Sequence, residues 1–525
     1  MHHLRFCVIL IIFMLNGLAT SLAAQTDSQP NIIFIMSDDH AFQAISAYDS
    51  SLIQTPNIDR IADEGIRFDR CFVTNSICAP SRAVILTGKY SHLNGLRDNR
   101  DRFDGNQMTF PKLLQQAGYQ TAIMGKWHLK SAPTGFDEWK VLIGQGDYYN
   151  PTFIEMGDTV QHIGYTTDII TDFAIETLEN RDKAKPFFLM YYHKAPHRNW
   201  MPHPRHFDMY NDEDIPLPAT FHDDYSTRSA AAREQDQEIA NMFLSMDMKL
   251  QPEHYEAETG TGGQLEFDAE KAWARNYNAL TEEQRAKWDA HYKPIGEAFK
   301  KANLSGKALK EWKYQRFMKD YLRSVAAVDE GVGRVLEYLD ENGLAENTIV
   351  VYTSDQGFYL GEHGWYDKRF IYEESLRTPL VMRFPKEIPA NQVSDKMVLN
   401  LDFAQTLLDY AGVEAPDDMQ GASLRGIAKG DAMPDWRNSI YYHYYEYPHG
   451  WHKVKKHNGV RTKRYKLVHY YHDIDAWELF DLAKDPTEVK NVYDDPAYQN
   501  IAEELHQELK RLQAMYGDQD ETEGE

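Results

Sequence analysis

The stretch Asn31-Ile32-Ile33-Phe34-Ile35-Met36-Ser37-Asp38-Asp39 decides the fold of this chain. Apart from its first residue, the run 31–36 is continuously apolar, as is typical of a strand buried on both faces of a parallel sheet. Two carboxylates follow the run directly. Because ligands bind beyond the carboxyl ends of parallel strands, this segment predicts both a sheet and a site at its edge.

Further short apolar runs predict the other strands of this sheet, at residues 121–124, 187–192, 348–353 and 379–384. Apolar residues at helical spacing predict helices between them, at residues 57–65, 110–117 and 317–339. Strands that alternate with helices favour an α/β fold, in which a mostly parallel sheet is covered by helices on both faces.

Composition shifts divide the chain. We predict a catalytic domain over residues 25–425, with a charged, mostly helical insertion over about 204–314 that lies above the substrate cleft. A smaller C-terminal α+β domain is expected over 426–516, with a strand at 465–470 and a final helix at 498–515. The polar, acidic tail 517–525 is predicted to be disordered.

The charge balance excludes some classes of protein. Among 525 residues, 80 are acidic and 56 basic, for a net charge of −24, and no Lys/Arg-rich run suggests a nucleic-acid partner. The one long apolar segment, residues 6–18, is too short to span a bilayer, so we expect no stable membrane insertion.

The N-terminus has the pattern of an export signal. His2, His3 and Arg5 precede the apolar run, and small residues follow it up to Ala24, which predicts a signal peptide over 1–24 and a periplasmic or secreted protein. Its removal leaves only Cys71 and Cys78, too few for a disulfide framework. Either the two form a single bridge, or one is kept for chemistry.

Reactive side chains follow the ends of four predicted strands. They are Asp38 and Asp39, Lys126 and His128, His197, and Asp355 and Gln356. Three carboxylates and an amide oxygen form an all-oxygen set that selects Ca²⁺ or Mg²⁺ over zinc. A single Asp is more often a helix cap or turn residue, but two such pairs at two strand ends favour a metal site.

Cys78 lies at the start of a predicted short helix. Pro80 suits the first turn of a short helix that ends at Thr87-Gly88, so Cys78 is expected at the helix N-terminus, where an anion is favoured. The alternative is a buried structural cysteine.

The motif Cys78-x-Pro80-Ser81-Arg82, continued as Leu86-Thr87-Gly88, resembles the signature of the type I (formylglycine-dependent) sulfatases. In that family a formylglycine-generating enzyme oxidises the cysteine to formylglycine (3-oxoalanine) during maturation. The remaining family motifs occur in order: Asp38-Asp39, Gly125-Lys126-Trp127-His128, Ala195-Pro196-His197, Thr353-Ser354-Asp355-Gln356-Gly357, and Lys368 after Gly361-Glu362-His363-Gly364. The resemblance implies an alkaline-phosphatase-like fold.

The resemblance also implies roles for these residues. One Ca²⁺ ion would be held by Asp38, Asp39, Asp355, Gln356 and the modified residue 78. Gln356 stands where many members carry Asn, but it keeps the amide oxygen. The sulfate would be bound by Arg82, Lys126 and Lys368. A hydroxyl of the hydrated aldehyde at Cys78 would attack sulfur, His128 would act as base, and either His197 or Lys368 would protonate the leaving oxygen.

Segments outside the catalytic motifs narrow the class of substrate. The segments 54–57, 195–200 and 443–447 are similar to those of bacterial N-acetylglucosamine-6-sulfatases, also called mucin-desulfating sulfatases, which implies an exo-acting enzyme on 6-O-sulfated N-acetylglucosamine. Alternatives are sulfated glycosaminoglycans or algal polysaccharides such as ulvan. Outside sulfatases, the alternatives are a phosphomonoesterase or phosphonate hydrolase, and a non-catalytic sugar-binding protein. Residues 441–452 form either a sugar-binding wall or an ordinary strand pair. His193, Glu362 and His363 receive no role.

Overall fold

A computed structural model describes residues 29–260 and 267–518 of the chain. The predicted signal peptide, 1–24, and residues 519–525 of the predicted tail lie outside the described residues. The strands are β1 (Asn31–Ser37), β2 (Ile66–Phe68), β3 (Cys71–Phe72), β4 (Gln120–Gly125), β5 (Glu138–Leu142), β6 (Thr152–Glu155), β7 (Asp158–Gln161), β8 (Phe187–Tyr192), β9 (Thr348–Ser354), β10 (Tyr359–Leu360), β11 (Tyr366–Asp367), β12 (Arg377–Thr378), β13 (Leu380–Arg383), β14 (Gln392–Ser394), β15 (Val398–Leu399), β16 (Ser439–Tyr444), β17 (His457–Thr462), β18 (Tyr465–Tyr470) and β19 (Ala476–Asp481).

The helices connect these strands and cover the sheets. They are α1 (Pro56–Asp63), α2 (Cys78–Thr87), α3 (Ser91–Asn94), α4 (Phe110–Gln116), α5 (Thr166–Asn180), α6 (Ala230–Glu234), α7 (Ala269–Asn278), α8 (Glu282–Ala302), α9 (Gly306–Glu341), α10 (Glu373–Leu376), α11 (Phe403–Tyr410), α12 (Arg425–Lys429) and α13 (Gln499–Tyr516). Within the described part of the chain, no helix is both long enough and apolar enough to cross a membrane.

The main sheet has ten strands in the order β14-β2-β13-β9-β1-β8-β4-β5-β6-β7. β1 lies near its centre and runs parallel to both neighbours, with Ile33 opposite Leu189 of β8 and Val350 of β9. β4 is parallel to β8 and β5 as well. The predicted mostly parallel arrangement is therefore confirmed for the centre of the sheet.

The strand predicted at 379–384 runs against its neighbours. β13 is antiparallel to both β9 and β2. A parallel return needs a crossover long enough to carry the chain back to the start of the sheet, usually a helix. The connection from β9 to β13 holds short strands and the four-residue helix α10 instead, so the chain re-enters the sheet from the same edge.

Helices bury both faces of β1. Ile32, Phe34 and Met36 belong to one apolar core, and Ile33 and Ile35 point into another on the opposite face. Long helix α9 contributes Val332 and Leu336 to the second core, so the helix predicted at 317–339 is the C-terminal part of a longer one. Two covered faces explain why the β1 sequence is continuously apolar rather than alternating.

The predicted insertion, residues 204–314, is less helical than expected. It holds α6, α7 and α8, but much of residues 207–229 and 242–260 is irregular chain with short 3-10 turns. Its apolar residues Met242, Leu244 and Met248 pack with Trp200 and Phe317 in a core of their own. Side-chain burial against α9 therefore holds this segment in place without regular backbone structure.

The C-terminal part folds as a four-stranded antiparallel sheet, in the order β16-β17-β18-β19, with α13 packed on it. The disordered tail is predicted to begin at residue 517, which is two residues too early, because Gly517 and Asp518 belong to the folded part. Gly517 ends α13 in a left-handed conformation, φ 70°, and Asp518 is buried beside His443, whose Nδ1 lies 2.7 Å from its Oδ2. This buried polar contact holds a residue that composition alone assigned to the tail.

Candidate active site

Four adjacent strands of the main sheet deliver the predicted site residues to one edge. In spatial order β9, β1, β8 and β4 end there. They are followed by Asp355 and Gln356, Asp38 and Asp39, His197, and Lys126 and His128. Asp39 and His128 adopt left-handed backbone conformations, φ 66° and 58°. For residues other than glycine such conformations cost energy and are concentrated at functional sites.

Three carboxylates meet at the centre of this edge. Oxygen atoms of Asp38, Asp39 and Asp355 lie within 4.8 Å of one another, and all three residues are buried. The Asp39 amide donates to Asp355 Oδ1 at 3.1 Å. Burial raises the pKa of Asp39 to about 6, with the Asp355 charge adding to the rise and Lys368 opposing it. Such a cluster is stable only beside positive charge.

Three cations supply that charge, one for each carboxylate. Lys126 forms an ion pair with Asp38, and Lys368 Nζ donates to both oxygens of Asp39 at 2.6 and 2.7 Å. Arg82 binds Asp355 from Nε at 3.1 Å and from Nη2 at 2.9 Å. Burial lowers the pKa of Lys126 well below its usual value. For Lys368 burial acts in the same direction, but its acidic neighbours, Asp39 first among them, together outweigh burial and raise the pKa.

Cys78 is the first residue of α2, as predicted, and only 1% of it is exposed. Burial raises the pKa of its thiol to about 12, so the side chain is a protonated thiol and not a thiolate nucleophile. Cys71 and Cys78 are both free and buried, so the alternative of a bridge between them is wrong. As an unmodified thiol, Cys78 is poorly suited to nucleophilic attack.

Two histidines flank Cys78. His128 Nδ1 is buried and has no hydrogen-bond partner among the described residues. His197 Nδ1 donates to the Arg198 carbonyl at 2.6 Å, and its Nε2 lies 3.7 Å from Asp39 Oδ2. Burial and the charge of Lys126 lower the pKa of both imidazoles well below the usual value. Both are therefore neutral until an anion offsets the neighbouring cations.

These groups form one end of a cavity of about 510 Å³. Cys78, His128, His197 and Lys368 all line it. Its walls come from the insertion and from the C-terminal part, through Met246, Phe267, Ala272, Arg275, Asn276, Glu446, Gly450 and Trp451. The volume is that of a small-molecule pocket.

The segment 441–452 has two parts, and each part has one of the two predicted roles: the first is a paired strand, and the second lines the cavity. Tyr441 to Tyr444 lie in β16, paired with β17, and do not line the cavity. Glu446, Gly450 and Trp451, in the loop that follows, do line it. The wall therefore begins where the strand ends.

Sequence reasoning missed Lys194. It lies two residues beyond β8, lines the cavity, and has its Nζ 4.7 Å from the centre of the Tyr148 ring. Burial lowers its pKa to about 8. The rule that singled out His197, position after a strand end, applies equally to Lys194 and could have found it.

The three residues left without a role do not line the cavity. Glu362 accepts a hydrogen bond from the Leu360 amide at 2.6 Å, and His363 Nδ1 lies 2.8 Å from Asp223 Oδ2. His193 is fully buried against the Tyr191 ring. All three serve local structure.

Comparison with known proteins identifies the family. The model of the family described as Sulfatase matches residues 30–413, and that of N-sulphoglucosamine sulphohydrolase, C-terminal, matches residues 361–515. The chain belongs to the sulfatase family. It is therefore a sulfuric ester hydrolase. The predicted alkaline-phosphatase-like fold is confirmed.

Individual relatives agree with this assignment. The chain is 52% identical over 519 residues to an N-acetylglucosamine-6-O-sulfatase of Bacteroides thetaiotaomicron, covering 97% of this sulfatase and 91% of the relative. It is 28% identical over 526 residues to an arylsulfatase of Clostridium perfringens, covering 92% and 94% of the two chains. A solved structure in complex with its substrate, D-glucosamine-2-N,6-O-disulfate, superposes with a TM-score of 0.90 at 52% identity, covering 94% of this chain and all of the other. The family implies formylglycine and a divalent metal, for which the acidic cluster offers a site.

Proposed function

We propose that this sulfatase is an exported, exo-acting enzyme that hydrolyses the 6-O-sulfate ester of N-acetylglucosamine residues. The observation that carries the proposal is the inner end of the cavity, which Cys78, Lys368 and two histidines line, with Lys126 paired to Asp38 of the adjoining acidic cluster. That end offers a nucleophile position, cations for an anionic ester and two proton carriers. The acidic net charge of the chain does not oppose this, because the local cluster alone meets the sulfate.

Residue 78 acts as formylglycine in this proposal. The thiol is buried and protonated, which leaves it a weak nucleophile, whereas a hydrated aldehyde there supplies a hydroxyl to attack sulfur and a second one to release the sulfate. The intact Cys78-x-Pro80-Ser81-Arg82 motif makes the chain a substrate of a formylglycine-generating enzyme during maturation.

The acidic cluster fits a hard divalent cation. Its donors are oxygen atoms of Asp38, Asp39 and Asp355, joined by Gln356, whose buried Oε1 has no hydrogen-bond partner within the described residues. The oxygen of a modified residue 78 would complete the set. A crowded, irregular group of oxygen ligands suits Ca²⁺ better than the strict octahedron of Mg²⁺. When bound, the ion offsets carboxylate repulsion and polarises the sulfate ester.

Arg82, Lys126 and Lys368 hold the sulfate oxygens in this proposal. All three are nine-tenths or more buried and converge on the cluster beside Cys78. Ion pairs hold their cationic groups in position before the substrate arrives, so they stabilise the charge that develops on the sulfuryl oxygens with little reorganisation. Lys194 adds a fourth cation that the family motifs did not indicate.

His128 and His197 divide the proton transfers. His128 acts as the base that helps to expel sulfate from residue 78. For the leaving sugar oxygen, His197 is the better donor than Lys368, because Lys368 Nζ already donates to both oxygens of Asp39 and its acidic neighbours together raise its pKa. The negative charge of the bound sulfate offsets the lysines around His197 and favours its protonated form.

The cavity walls suit a sugar. A primary 6-O-sulfate projects from its ring and reaches a narrow anion site, while Trp451 and Phe267 offer aromatic surface and Glu446 a hydrogen-bonding group. The named substrates of the 52%-identical relative and of the superposed structure support glucosamine 6-sulfates over uronate or rhamnose sulfates.

The test is sulfate release from a panel of sugars. We expect kcat/KM to be highest for N-acetylglucosamine 6-sulfate among that sugar, galactose 6-sulfate, 2-sulfated uronates and sulfated rhamnose oligosaccharides from ulvan. Preference for a uronate or rhamnose sulfate would move the enzyme to glycosaminoglycan or ulvan degradation and leave the catalytic residues unaffected.

Export is tested separately. The residues that precede Ala24 carry the signal pattern. We expect N-terminal sequencing of protein from the native host to begin just after Ala23 or Ala24, and activity to be recovered from the periplasm or the medium. An intact Met1 on the active protein would contradict this.

A further inference from the structure

Arg198, the residue after His197, forms an ion pair with the fully buried Asp247. We propose that this pair is a positioning device: it holds the backbone of residue 198 so that the His197 ring presents Nε2 to the leaving oxygen. This inference rests on the proposed role of His197 as proton donor. Neither Arg198 nor Asp247 belongs to the predicted catalytic motifs.

Two hydrogen bonds hold His197 itself. Its Nδ1 donates to the Arg198 carbonyl at 2.6 Å, and its own carbonyl accepts from the Tyr148 hydroxyl at 2.6 Å. Because a carbonyl can only accept, Nδ1 must carry a proton, and Nε2 becomes the atom free to exchange one in the cavity. The orientation of the ring therefore depends on where the Arg198 carbonyl points.

The Arg198 side chain is anchored at both ends of its guanidinium. Nε donates to Asp247 Oδ1 at 2.8 Å and Nη2 to Asp247 Oδ2 at 2.6 Å. Asp247 is fully buried and is itself held, because Oδ2 also accepts from the Phe243 amide at 2.8 Å. A bidentate pair of this kind fixes direction as well as distance, which a lysine at the same place cannot reproduce.

Three aromatic rings surround much of the guanidinium, and the rest of Arg198 lines the cavity. The central carbon of the guanidinium lies 5.1 Å from the ring centre of Tyr366 and 5.5 Å from those of Phe243 and Trp451. These rings come from three separate regions: the insertion, the strand β11 that leads to Lys368, and the C-terminal loop that walls the cavity. Through these contacts the Arg198 side chain connects the proposed proton donor, His197, with the segment that leads to Lys368 and with the loop that lines the cavity.

This arrangement predicts coupling between residues 197 and 198. A small displacement of an acid from its leaving group costs a large factor in rate, so Arg198→Lys and Asp247→Asn should each lower kcat/KM for the sugar sulfate by about 10- to 100-fold. The fall should lie mainly in kcat, because the pair acts through the orientation of His197. A loss that lies mainly in KM would show instead that Arg198, which lines the cavity, contacts the sugar, and would overturn the positioning role. Both variants keep side-chain size close to the original, and thermal unfolding identifies any that fail to fold.

A double-mutant cycle separates positioning from a general structural role. In a His197→Ala background no ring remains to be positioned, so Arg198→Lys should change kcat/KM by no more than about twofold. The matched control is Arg437→Lys, which breaks another bidentate pair with a buried carboxylate, Asp402, at a site that does not line the cavity. It should lower thermal stability but not kcat.

Each outcome of the cycle is decisive. Equal losses from Arg198→Lys with and without His197 would overturn the positioning role and leave the proposed function intact. If His197→Ala itself kept full activity on the sugar sulfate, the proposed role of His197 would fail, and this inference with it. A loss of kcat/KM from Arg198→Lys that occurs only when His197 is present supports both the positioning role and the proposed role of His197.

Discussion

Oδ2 of Asp355 accepts two hydrogen bonds from the Arg82 guanidinium, from Nε at 3.1 Å and from Nη2 at 2.9 Å. The remaining arm of the guanidinium, Nη1, donates to the Lys126 carbonyl at 2.8 Å. One side chain of α2 thereby joins the ends of β9 and β4. Because Cys78 lies four residues earlier on the same helix, it shares a face with Arg82 and is brought over the acidic cluster.

Replacement of Arg82 should therefore cost both stability and activity. Lysine cannot donate to Asp355 and to the Lys126 carbonyl with the fixed geometry of the guanidinium, so Arg82→Lys should destabilise the fold by about 2 to 4 kcal/mol and lower kcat/KM by about 100-fold or more. Arg461→Lys is the control, since Arg461 makes a similar pair with Glu373 and does not line the cavity. Thermal unfolding and sulfate release measure the two effects. Full activity of Arg82→Lys would contradict a role in sulfate binding.

Modification of Cys78 is testable on the protein itself. Peptide mass spectrometry of active enzyme should show an aldehyde in place of the thiol. Cys78→Ala should abolish turnover with little loss of stability, because a small side chain is removed at the first turn of α2. Cys78→Ser should accept the sulfuryl group once and release it very slowly, since serine has a single hydroxyl. A wholly unmodified sample with full activity would disprove the mechanism.

Metal removal should abolish activity and lower the unfolding temperature. Added Ca²⁺ should restore both, because an ion that binds only the folded state stabilises it by mass action. The Asp39 pKa of about 6 gives the pH dependence. Below pH 6 a proton competes with the ion for this carboxylate, so the rise in unfolding temperature on adding Ca²⁺ should be larger at pH 7.5 than at pH 5.5. Activity that depends on stoichiometric zinc would overturn the calcium assignment.

Lys194 should contribute to substrate binding while it is charged. Its pKa of about 8 means that the ammonium is present below pH 8 and is lost as the pH rises through that value. We expect KM for the sugar sulfate to rise above pH 8 in the native enzyme. Lys194→Met should raise KM at neutral pH by about tenfold and flatten this pH dependence, at nearly unchanged kcat. Lys455→Met, whose lysine pairs with Asp473 away from the cavity, serves as the control.

Local patterns were enough to predict the centre of the fold and which side chains come together at one edge of the sheet. The apolar runs became β1, β4, β8 and β9, and the rule that polar residues after parallel strands meet at one edge holds for Asp38, His197 and Asp355. Pro80 and Gly88 delimited α2, with Cys78 at its start. Each of these features depends on residues close in sequence, or on strand ends that any parallel sheet brings together.

Tertiary packing alone decided the rest. The direction of β13, the burial of Asp518, the cavity wall at Trp451 and the pair Arg198–Asp247 join segments far apart in the chain. No periodicity or composition marks such pairs beforehand, because their energy comes from desolvation and contact geometry that exist only once the helices and sheets are packed. Strand ends and a helix start, both legible in the chain, were enough to gather the candidate site residues, whereas their hydrogen-bond partners and the cavity around them depend on packing.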